Sequence, residues 1–366
     1  MIQEATLKIG RDEVEDIALG AAVLGTGGGG DPFIGKLLAL DAIDNHGEVD
    51  FLDLNQVDDD DFVIPSAMMG APTVMVEKVP SGSESLSSLR QLETQIGRKA
   101  DAIVPIEQGG INSQIPIAVA ATLGLPLVDC DGMGRAFPEL QMVTFHLDGI
   151  PATPMVISDE KGNSMVLSTC NNVWAERIAR AVTVQMGGSS LIAIYPMQGS
   201  KLKASCVPNS VSLSMKIGRT IRESRRRGEN AVNAVASILN GRTLFQGKVV
   251  DVMRRTVGGF ARGDAKFEGL DEYLGHSLTI SFQNENLVAL LDGRVVASVP
   301  DLITVMDSET GIPITTEGLR YGNRVTVIGS PCSPKWRTPE GLRTVGPRYF
   351  GYDLDYVPVE RIGETP

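Results

Sequence analysis

The sequence predicts an α/β amino-terminal domain with a partly parallel sheet, followed by a carboxy-terminal α+β domain built on a β-rich sandwich or barrel. Two observations support this fold class. Between residues 12 and 128, segments with a helical apolar period alternate with short strand-like segments, which is typical of parallel strands joined by crossover helices. Beyond residue 243 the pattern is that of β-strands, with turn signals at Asp292-Gly293 and Thr310-Gly311.

The length of the chain indicates two domains. Its 366 residues exceed the usual size of one hydrophobic core. We place the boundary near residue 170, which gives an amino-terminal domain of residues 1–169 and a carboxy-terminal domain of residues 170–366. No low-complexity linker separates them, so we expect a firm interface between the two domains.

The amino-terminal elements follow from local periodicity. The first helix is predicted from Val14, Ile17, Ala21 and Leu24, which are spaced by three and four positions. The same criteria, with alternating or short apolar runs for strands, predict the later elements. These are a helix over 33–43, strands over 49–54 and 62–69, a helix over 84–98, a strand over 102–106, a helix over 115–123 and a strand over 125–128.

The pattern changes near Gln141, where strands with short loops are predicted before three helices. The strands cover 142–147, 155–157 and 165–168, and the helices cover 171–186, 211–227 and 229–239. The remaining predicted strands cover 245–255, 277–283, 287–291, 294–298, 302–306 and 324–328. The residues Asn284-Glu285-Asn286 are predicted to form a turn between two of these strands.

Composition excludes several classes of partner. The chain has 33 Lys and Arg against 45 Asp and Glu, a net charge of −12, which opposes binding to nucleic acid or to an anionic membrane. Its four cysteines are widely spaced, so neither a disulfide framework nor a zinc knuckle is predicted. We find no secretory signal and no membrane-spanning stretch. We therefore expect a cytoplasmic protein, and its glycine-rich, arginine-bearing helices favour a homo-oligomer.

A run of glycines is the most informative local feature. Gly25-Thr26-Gly27-Gly28-Gly29-Gly30 precedes Asp31-Pro32, and glycine is costly to order unless backbone must lie where a side chain would intrude. The run also fits G-x-G-x-x-G, but a helical pattern precedes it where a dinucleotide site needs a strand. We favour an anion or carbonyl site at the start of the following helix, with a simple turn between helices as the alternative.

Two further motifs follow predicted strands, where ligands gather in α/β sheets. In residues 107–112, Glu107 and Asn112 flank the Gly109-Gly110 turn, and Asn112 can bind a ligand or only cap the next helix. In residues 129–135, Asp129 and Asp131 alternate across a strand end and Arg135 offers a planar donor group. A turn with an internal Asp–Arg pair is the alternative for this second motif.

No cofactor is expected. The histidines His46, His146 and His276 form no metal-binding motif. A magnesium site made from Asp129, Asp131 and Glu139 is an alternative with weak support. Cys130 lies between two acidic residues that would raise the pKa of its thiol, so it is predicted to be a buried strand residue rather than a nucleophile.

These motifs resemble those of the S-methyl thiohydantoin desulfurase family, whose members often accompany hydantoinase and oxoprolinase relatives. The likeness covers nearly the whole chain. It is carried by residues 27–32, 107–110 and 129–139, by Pro154, and by Leu319-Arg320-Tyr321-Gly322 and Val345-Gly346-Pro347-Arg348. The resemblance implies an α/β amino-terminal domain, a β-rich carboxy-terminal domain and the hydrolytic loss of methanethiol from a five-membered cyclic imidothioester.

That chemistry needs a base for water and donors for developing negative charge. On this hypothesis the base is Asp131 or Glu139, and Glu107 completes the expected catalytic set. Asp31 positions the glycine loop, and Arg135 holds a ring carbonyl or a side-chain acid. The expected substrate-binding residues are Gly27, Gly28, Gly29, Gly30, Asp31, Gly109, Gly110, Asn112, Asp129 and Arg135.

Two other functions remain open from the sequence. The chain can be a non-catalytic subunit or regulator of a hydantoinase-like partner protein, which fits the lack of metal ligands and of an obvious nucleophile. Alternatively, the glycine loop binds a nucleotide phosphate in an ATP-dependent ring opening. Incubation of the pure protein with hydantoin, thiohydantoin and their S-methyl derivatives, with and without ATP, separates these functions.

Overall fold

Two β-sheets organise the chain in the computed structural model, which describes residues 7–70, 74, 78 and 81–362. The helices of the described residues are α1 Arg11–Leu24, α2 Pro32–His46, α3 Ser83–Ile96, α4 Ile115–Leu123, α5 Thr144–Leu147, α6 Asn172–Gln185, α7 Gly199–Ser205, α8 Ser210–Arg227, α9 Ala231–Ile238 and α10 Pro339–Val345. The strands before residue 209 are β1 Leu7–Ile9, β2 Val49–Leu52, β3 Phe62–Gly70, β4 Ala102–Pro105, β5 Leu127–Val128, β6 Cys130–Asp131, β7 Met155–Ser158, β8 Ser164–Leu167, β9 Ser189–Ala193, β10 Met197–Gln198 and β11 Val207–Pro208. The later strands are β12 Arg242–Val257, β13 Phe260–Gly269, β14 Ser277–Gln283, β15 Glu285–Leu291, β16 Arg294–Ser298, β17 Leu302–Asp307 and β18 Arg324–Ser330.

The first sheet is mixed, which confirms the predicted α/β class. Its nine strands run in the order β1-β2-β5-β4-β3-β9-β7-β8, with β10 also paired to β3. Strands β2, β5, β4 and β3 are parallel, and the other pairs are antiparallel. Because parallel strands end at the same edge, the end of β3 and the segments that follow β4 and β5 meet there. Strands β9 and β10, which follow residue 170 in the sequence, belong to this first sheet.

The second sheet is antiparallel throughout and has seven strands in the order β16-β15-β14-β13-β12-β18-β17. It curls into a half-barrel, so that β17 at one end contacts β15 and β16 at the other. Its concave face buries apolar side chains such as Phe245, Phe267 and Val327. This confirms the predicted β-rich carboxy-terminal half.

One predicted strand is wrong. Residues 142–147 were expected to be extended, but residues 144–147 form the short helix α5. The Thr144 N–H donates to Gly132 O at 2.7 Å and the His146 N–H to Val143 O at 3.0 Å. The fully buried Phe145 anchors this turn in the core, so tertiary packing overrides a local pattern that favours a strand.

Helices α1 and α8 cross in close contact because each has a glycine where they meet. A Cβ atom on Gly20 would lie 1.8 Å from Ser214 O, and one on Gly218 would lie 1.9 Å from Asp16 O. The buried carboxylate of Asp16 accepts from Arg222 Nε at 2.9 Å and from Arg222 Nη2 at 2.8 Å. This pair joins the helix before the glycine loop to the helix that follows β11. No described helix is both long and apolar enough to span a bilayer.

Gly218→Ala tests this crossing. In a loosely packed helix, alanine would raise the free energy of unfolding by up to about 1 kcal/mol through helix propensity. Here the added Cβ atom meets a backbone carbonyl. We therefore expect the free energy of unfolding, measured with urea, to decrease by about 1–3 kcal/mol. Lys216→Ala, at an exposed position of the same helix, is the control and should change the value by less than about 0.5 kcal/mol. A more stable Gly218→Ala protein would contradict the close crossing.

Candidate active site

A narrow cavity of about 50 Å³ lies between the carboxyl edge of the first sheet and the turn between β14 and β15. The end of β3, the segment after β4 and the loop after β6 form one side, and the turn of the second sheet forms the other. The polar and glycine residues that line it are Gly29, Gly70, Glu107, Asn112, Glu139, Arg180, Asn284 and Glu285. The apolar lining includes Met68, Met69, Ile106, Met133, Phe137 and Ile192.

The glycine loop, residues 25–30, packs against this cavity with no space for a Cβ atom at Gly28 or Gly29. A Cβ atom on Gly28 would lie 2.0 Å from Glu285 Oε1, and one on Gly29 would lie 2.4 Å from Gly109 Cα. The absence of side chains therefore brings three segments together: the loop, the Gly109-Gly110 turn and the start of β15. Glycines are therefore needed in the loop because the backbone of Gly109 and the side chain of Glu285 approach it closely, and not only because the chain turns there.

Backbone hydrogen bonds hold the loop in this position. They connect it both to the first sheet and to the second, so the loop is part of the contact between the two sheets. The three bonds are Ile111 N–H to Gly29 O, Asn286 N–H to Thr26 O and Thr316 N–H to Gly27 O, each at 2.8 Å.

Glu107 is the carboxyl group that the amino-terminal half contributes to the cavity. Its side chain is 4% exposed, and burial raises its pKa to about 7. Hydrogen bonds from Asn112 Nδ2 at 2.7 Å and from Phe137 N–H at 3.2 Å lower the pKa in part. Asn112 is itself fixed, because its Oδ1 accepts from Met68 N–H at 2.7 Å. Glu107 is thus a rigidly held acid that changes charge near neutral pH.

Glu285 is the second buried carboxyl group of the cavity. Burial, and next the negative charge of Glu107, raise the pKa of Glu285 well above its ordinary value, and the positive charge of Arg135 lowers it in part. Its Oε2 has no hydrogen-bond partner among the described residues. Burial therefore favours the protonated form of this side chain, which can donate a hydrogen bond.

Arg135 lies beneath the two carboxyl groups rather than in the cavity. Its guanidinium is fully buried and donates to Thr26 Oγ1 at 3.0 Å, to Pro300 O at 2.6 Å and to Asp301 O at 2.9 Å. Burial lowers its pKa to about 10, so it remains charged at neutral pH. It is a fixed cation that ties the glycine loop to the second sheet.

Arg180 and Glu139 lie at the other end of the cavity. Arg180 Nε donates to Glu176 Oε1 at 2.7 Å and Nη2 donates to Pro138 O at 2.8 Å. Its third nitrogen, Nη1, makes no hydrogen bond within the described part of the chain. Glu139 Oε2 accepts from Tyr349 OH at 2.7 Å. Arg180 therefore brings a positive charge and an uncommitted donor to the cavity.

The predicted site residues divide into two groups. Gly29, Glu107, Asn112 and Glu139 line the cavity, and the neighbouring predicted glycines pack behind it. The remaining predicted side chains have other partners. Asp31 caps α2 by accepting from Phe33 N–H at 2.8 Å, Asp129 accepts from Ser212 N–H at 2.9 Å at the start of α8, and the fully buried Asp131 accepts from Gly134 N–H at 2.8 Å.

Asp129, Asp131 and Glu139 thus have separate partners. Among the residues that the structure describes, no three His, Cys, Asp or Glu side chains are grouped so that they would hold a metal ion. Burial raises the pKa of Asp131 well above its ordinary value, but this side chain does not line the cavity.

Three cavity residues were not singled out from the sequence as site residues: Arg180, Asn284 and Glu285. The sequence placed Glu285 in a turn, whereas it begins β15. Asn284 alone makes the sharp turn, with a left-handed φ of 57°. A polar Asn-Glu-Asn sequence before an apolar strand was the available signal, because Glu285 and Asn286 occupy strand positions and are nevertheless almost fully buried.

Comparison with known proteins identifies related sequences and a related fold. The model of the S-Me-THD-like N-terminal domain matches residues 12–169, and that of the S-Me-THD-like C-terminal domain matches residues 170–359. The fold is shared with the crystal structure of a protein from Chromobacterium violaceum, with a TM-score of 0.80 and 23% identity over 96% of this chain and 100% of that chain. No curated protein matches the chain.

Gly28→Ala tests the contact behind the cavity. Its Cβ would overlap Glu285, so we expect the free energy of unfolding to fall by about 1–3 kcal/mol. In a Glu285→Ala background the same change should cost much less, because the overlapping atoms are gone. Urea unfolding of the four proteins gives the coupling. Equal effects of Gly28→Ala in the two backgrounds would contradict the packing described.

Proposed function

The chain belongs to the S-Me-THD-like family, and we propose that it is a hydrolase that releases methanethiol from a small S-methyl thiohydantoin ring in the cavity between its sheets. The observation that carries the proposal is the pair of buried carboxyl groups, Glu107 and Glu285, in one cavity. Burial raises both pKa values, that of Glu107 to about 7 and that of Glu285 well above its ordinary value, and we assign Glu107 as the base and Glu285 as the acid. Such a pair supplies one base and one acid at neutral pH.

The reaction divides into addition of water and loss of the thiol. In the first step water attacks the ring carbon that bears sulfur. Glu107 takes a proton from the water as the C–O bond forms, and Glu285 gives its proton to the adjacent ring nitrogen. The C=N double bond thereby becomes a single bond, and the carbon becomes tetrahedral. General acid–base assistance of this kind contributes about 10²- to 10⁴-fold to a rate.

In the second step the C–S bond breaks. The hydroxyl group returns its proton to Glu285 and becomes the ring carbonyl, while Glu107 gives its proton to the departing methanethiolate. The products are a hydantoin and methanethiol, and both carboxyl groups regain their starting protonation states. No cofactor or nucleotide is consumed.

Two other side chains of the cavity supply donors for the ring. Arg180 Nη1 and Asn284 Nδ2 make no hydrogen bond among the described residues, and both side chains line the cavity. We assign them to a ring carbonyl, whose oxygen gains charge as water adds. Asn112 positions Glu107 rather than the substrate, since both of its polar atoms are already hydrogen-bonded.

Glu107→Gln tests the proposed base directly. We expect kcat to fall by about 10²- to 10⁴-fold, because the amide cannot accept the proton from water. The assay is methanethiol release from S-methyl thiohydantoin, with and without ATP. Asp131→Asn and Glu139→Gln are matched controls and should retain activity within about tenfold.

Each other outcome of that assay has a clear meaning. Loss of activity only in Asp131→Asn would move the base to Asp131. Binding of the ring without turnover by the wild-type protein would favour the regulatory subunit, and turnover only with ATP would favour ring opening driven by a nucleotide.

The pH dependence gives a second test. Because burial raises the pKa of Glu107 to about 7, the ionised base is scarce at low pH, and kcat/KM should rise with pH to a plateau above about 7. At higher pH it should fall as Glu285 loses its proton. A profile that rises near pH 4.5, the ordinary pKa of a glutamate, would contradict the assignment of Glu107.

The cytoplasmic location, the hydantoinase-like partner protein and the homo-oligomer stay predictions. Light scattering of the purified chain during size-exclusion chromatography measures the oligomeric state, and a single-chain mass of 39.1 kDa would contradict the expected oligomer.

A further inference from the structure

The cavity is much smaller than the pockets that bind small molecules. It encloses about 50 Å³, space for a few water molecules, whereas ligand pockets measure about 300–1,000 Å³. A five-membered ring with its substituents enters only if a boundary of the cavity moves. At the boundary formed by Arg180, the tip of a hairpin lies against the side chain.

That tip belongs to the β12–β13 hairpin, which extends past its neighbours. Strand β18 pairs with β12 only as far as Lys248, and β14 pairs with β13 only as far as Arg262. Farther out, Arg254 Nη2 donates to Thr316 O, and the Ala261 N–H donates to Asn284 Oδ1 at 2.8 Å. Residues 255–260, which we call the flap, lie beyond these two hydrogen bonds. They form a two-stranded ribbon, and such a ribbon is only marginally stable by itself.

The flap packs against helix α6. The Arg180 guanidinium carbon lies 4.3 Å from the centre of the Phe260 ring. A Cβ atom on Gly259 would lie 2.8 Å from Arg180 Cδ and 3.6 Å from Val184 Cγ2. The opposite side of the flap faces solvent, where Val257 is 54% exposed. The cation–π contact of Phe260 with Arg180 and the packing of Gly259 against Arg180 and Val184 hold the flap against α6.

We propose that residues 255–260 form a flap that closes the cavity, with Phe260 as its gating residue on Arg180. The inference rests on the proposed function of the cavity. When the flap lifts, Phe260 leaves Arg180 and the cavity opens at that end, while Arg254 and Ala261 remain tied to the second sheet. The tip turns at Gly258-Gly259, whose φ values of 60° and 83° suit a tight two-residue hairpin turn.

Phe260→Ala is the first test, with Val257→Ala on the solvent side of the same tip as the matched control. Binding of hydantoin, the proposed product ring, is followed by stopped-flow. A contact of this kind restrains opening by about tenfold, so both the association and the dissociation rate constants should rise about tenfold in Phe260→Ala. Val257→Ala should match the wild type. Equal rates in all three proteins would overturn the proposal.

A reversible cross-link provides the second test. In a Cys170→Ser background, which removes the exposed native thiol, Gly259→Cys with Val184→Cys joins the tip to α6 on oxidation. The oxidised protein should bind hydantoin at least about tenfold more slowly, and a reducing agent should restore the rate. The two single-cysteine variants show whether the substitutions by themselves change the rate of hydantoin binding. Unchanged binding in the cross-linked protein would overturn the flap.

Failure of the proposed function gives a different result from failure of the flap. If the wild-type protein does not bind hydantoin at all, the proposed function is wrong. Opening of the flap is then tested without a ligand. Amide hydrogen exchange then decides. Exchange of residues 256–260 by a local opening that does not depend on denaturant supports the flap, and exchange only through global unfolding overturns it.

Discussion

The close contact of glycine backbone with the second sheet is the constraint on which the site depends. The loop of residues 25–30 lies against the Gly109-Gly110 turn and against Glu285, at separations that leave no space for a Cβ atom. This contact brings a carboxyl group from the half-barrel to the carboxyl edge of the mixed sheet. It also removes water from that edge, since Glu107 and Glu285 are 4% and 2% exposed. The unusual proton affinities of the two acids follow from this exclusion of water.

Burial of two acids beside each other is unfavourable unless their charge is reduced or balanced. In this cavity the negative charge is both reduced by protonation and balanced by a cation. Burial favours the protonated form of Glu285, and the cation of Arg135 lies nearby, held by Thr26 and by the carbonyl groups of Pro300 and Asp301. Arg135 therefore serves two purposes, since it offsets negative charge and ties the glycine loop in place. An arginine expected from the sequence to hold the substrate is placed where it holds the site together.

Local patterns predicted most of the fold, because the period of apolar residues depends on the element itself. Helix α4 spans the predicted residues 115–123, and α8 begins one residue before its predicted start. The rule that ligands gather beyond parallel strands also placed Glu107 at the cavity. The predicted strand over 142–147 is wrong because contacts of Thr144 and Phe145 with residues distant in the sequence determine the local structure. The Asn-Glu-Asn sequence marks Glu285 as unusual but does not place it in a site, and Arg180 carries no local signal. Only the docking of the two sheets brings these residues to Glu107.

The central claim is that the glycine contact creates a buried cavity in which one carboxyl group titrates near neutral pH. The most direct measurement is an NMR titration of the side-chain carboxyl carbon of Glu107, assigned by loss of its signal in Glu107→Gln. The account predicts a midpoint at about pH 7. A midpoint near 4.5, the ordinary value for a glutamate, would contradict the burial of Glu107 and with it the proposed role of this residue.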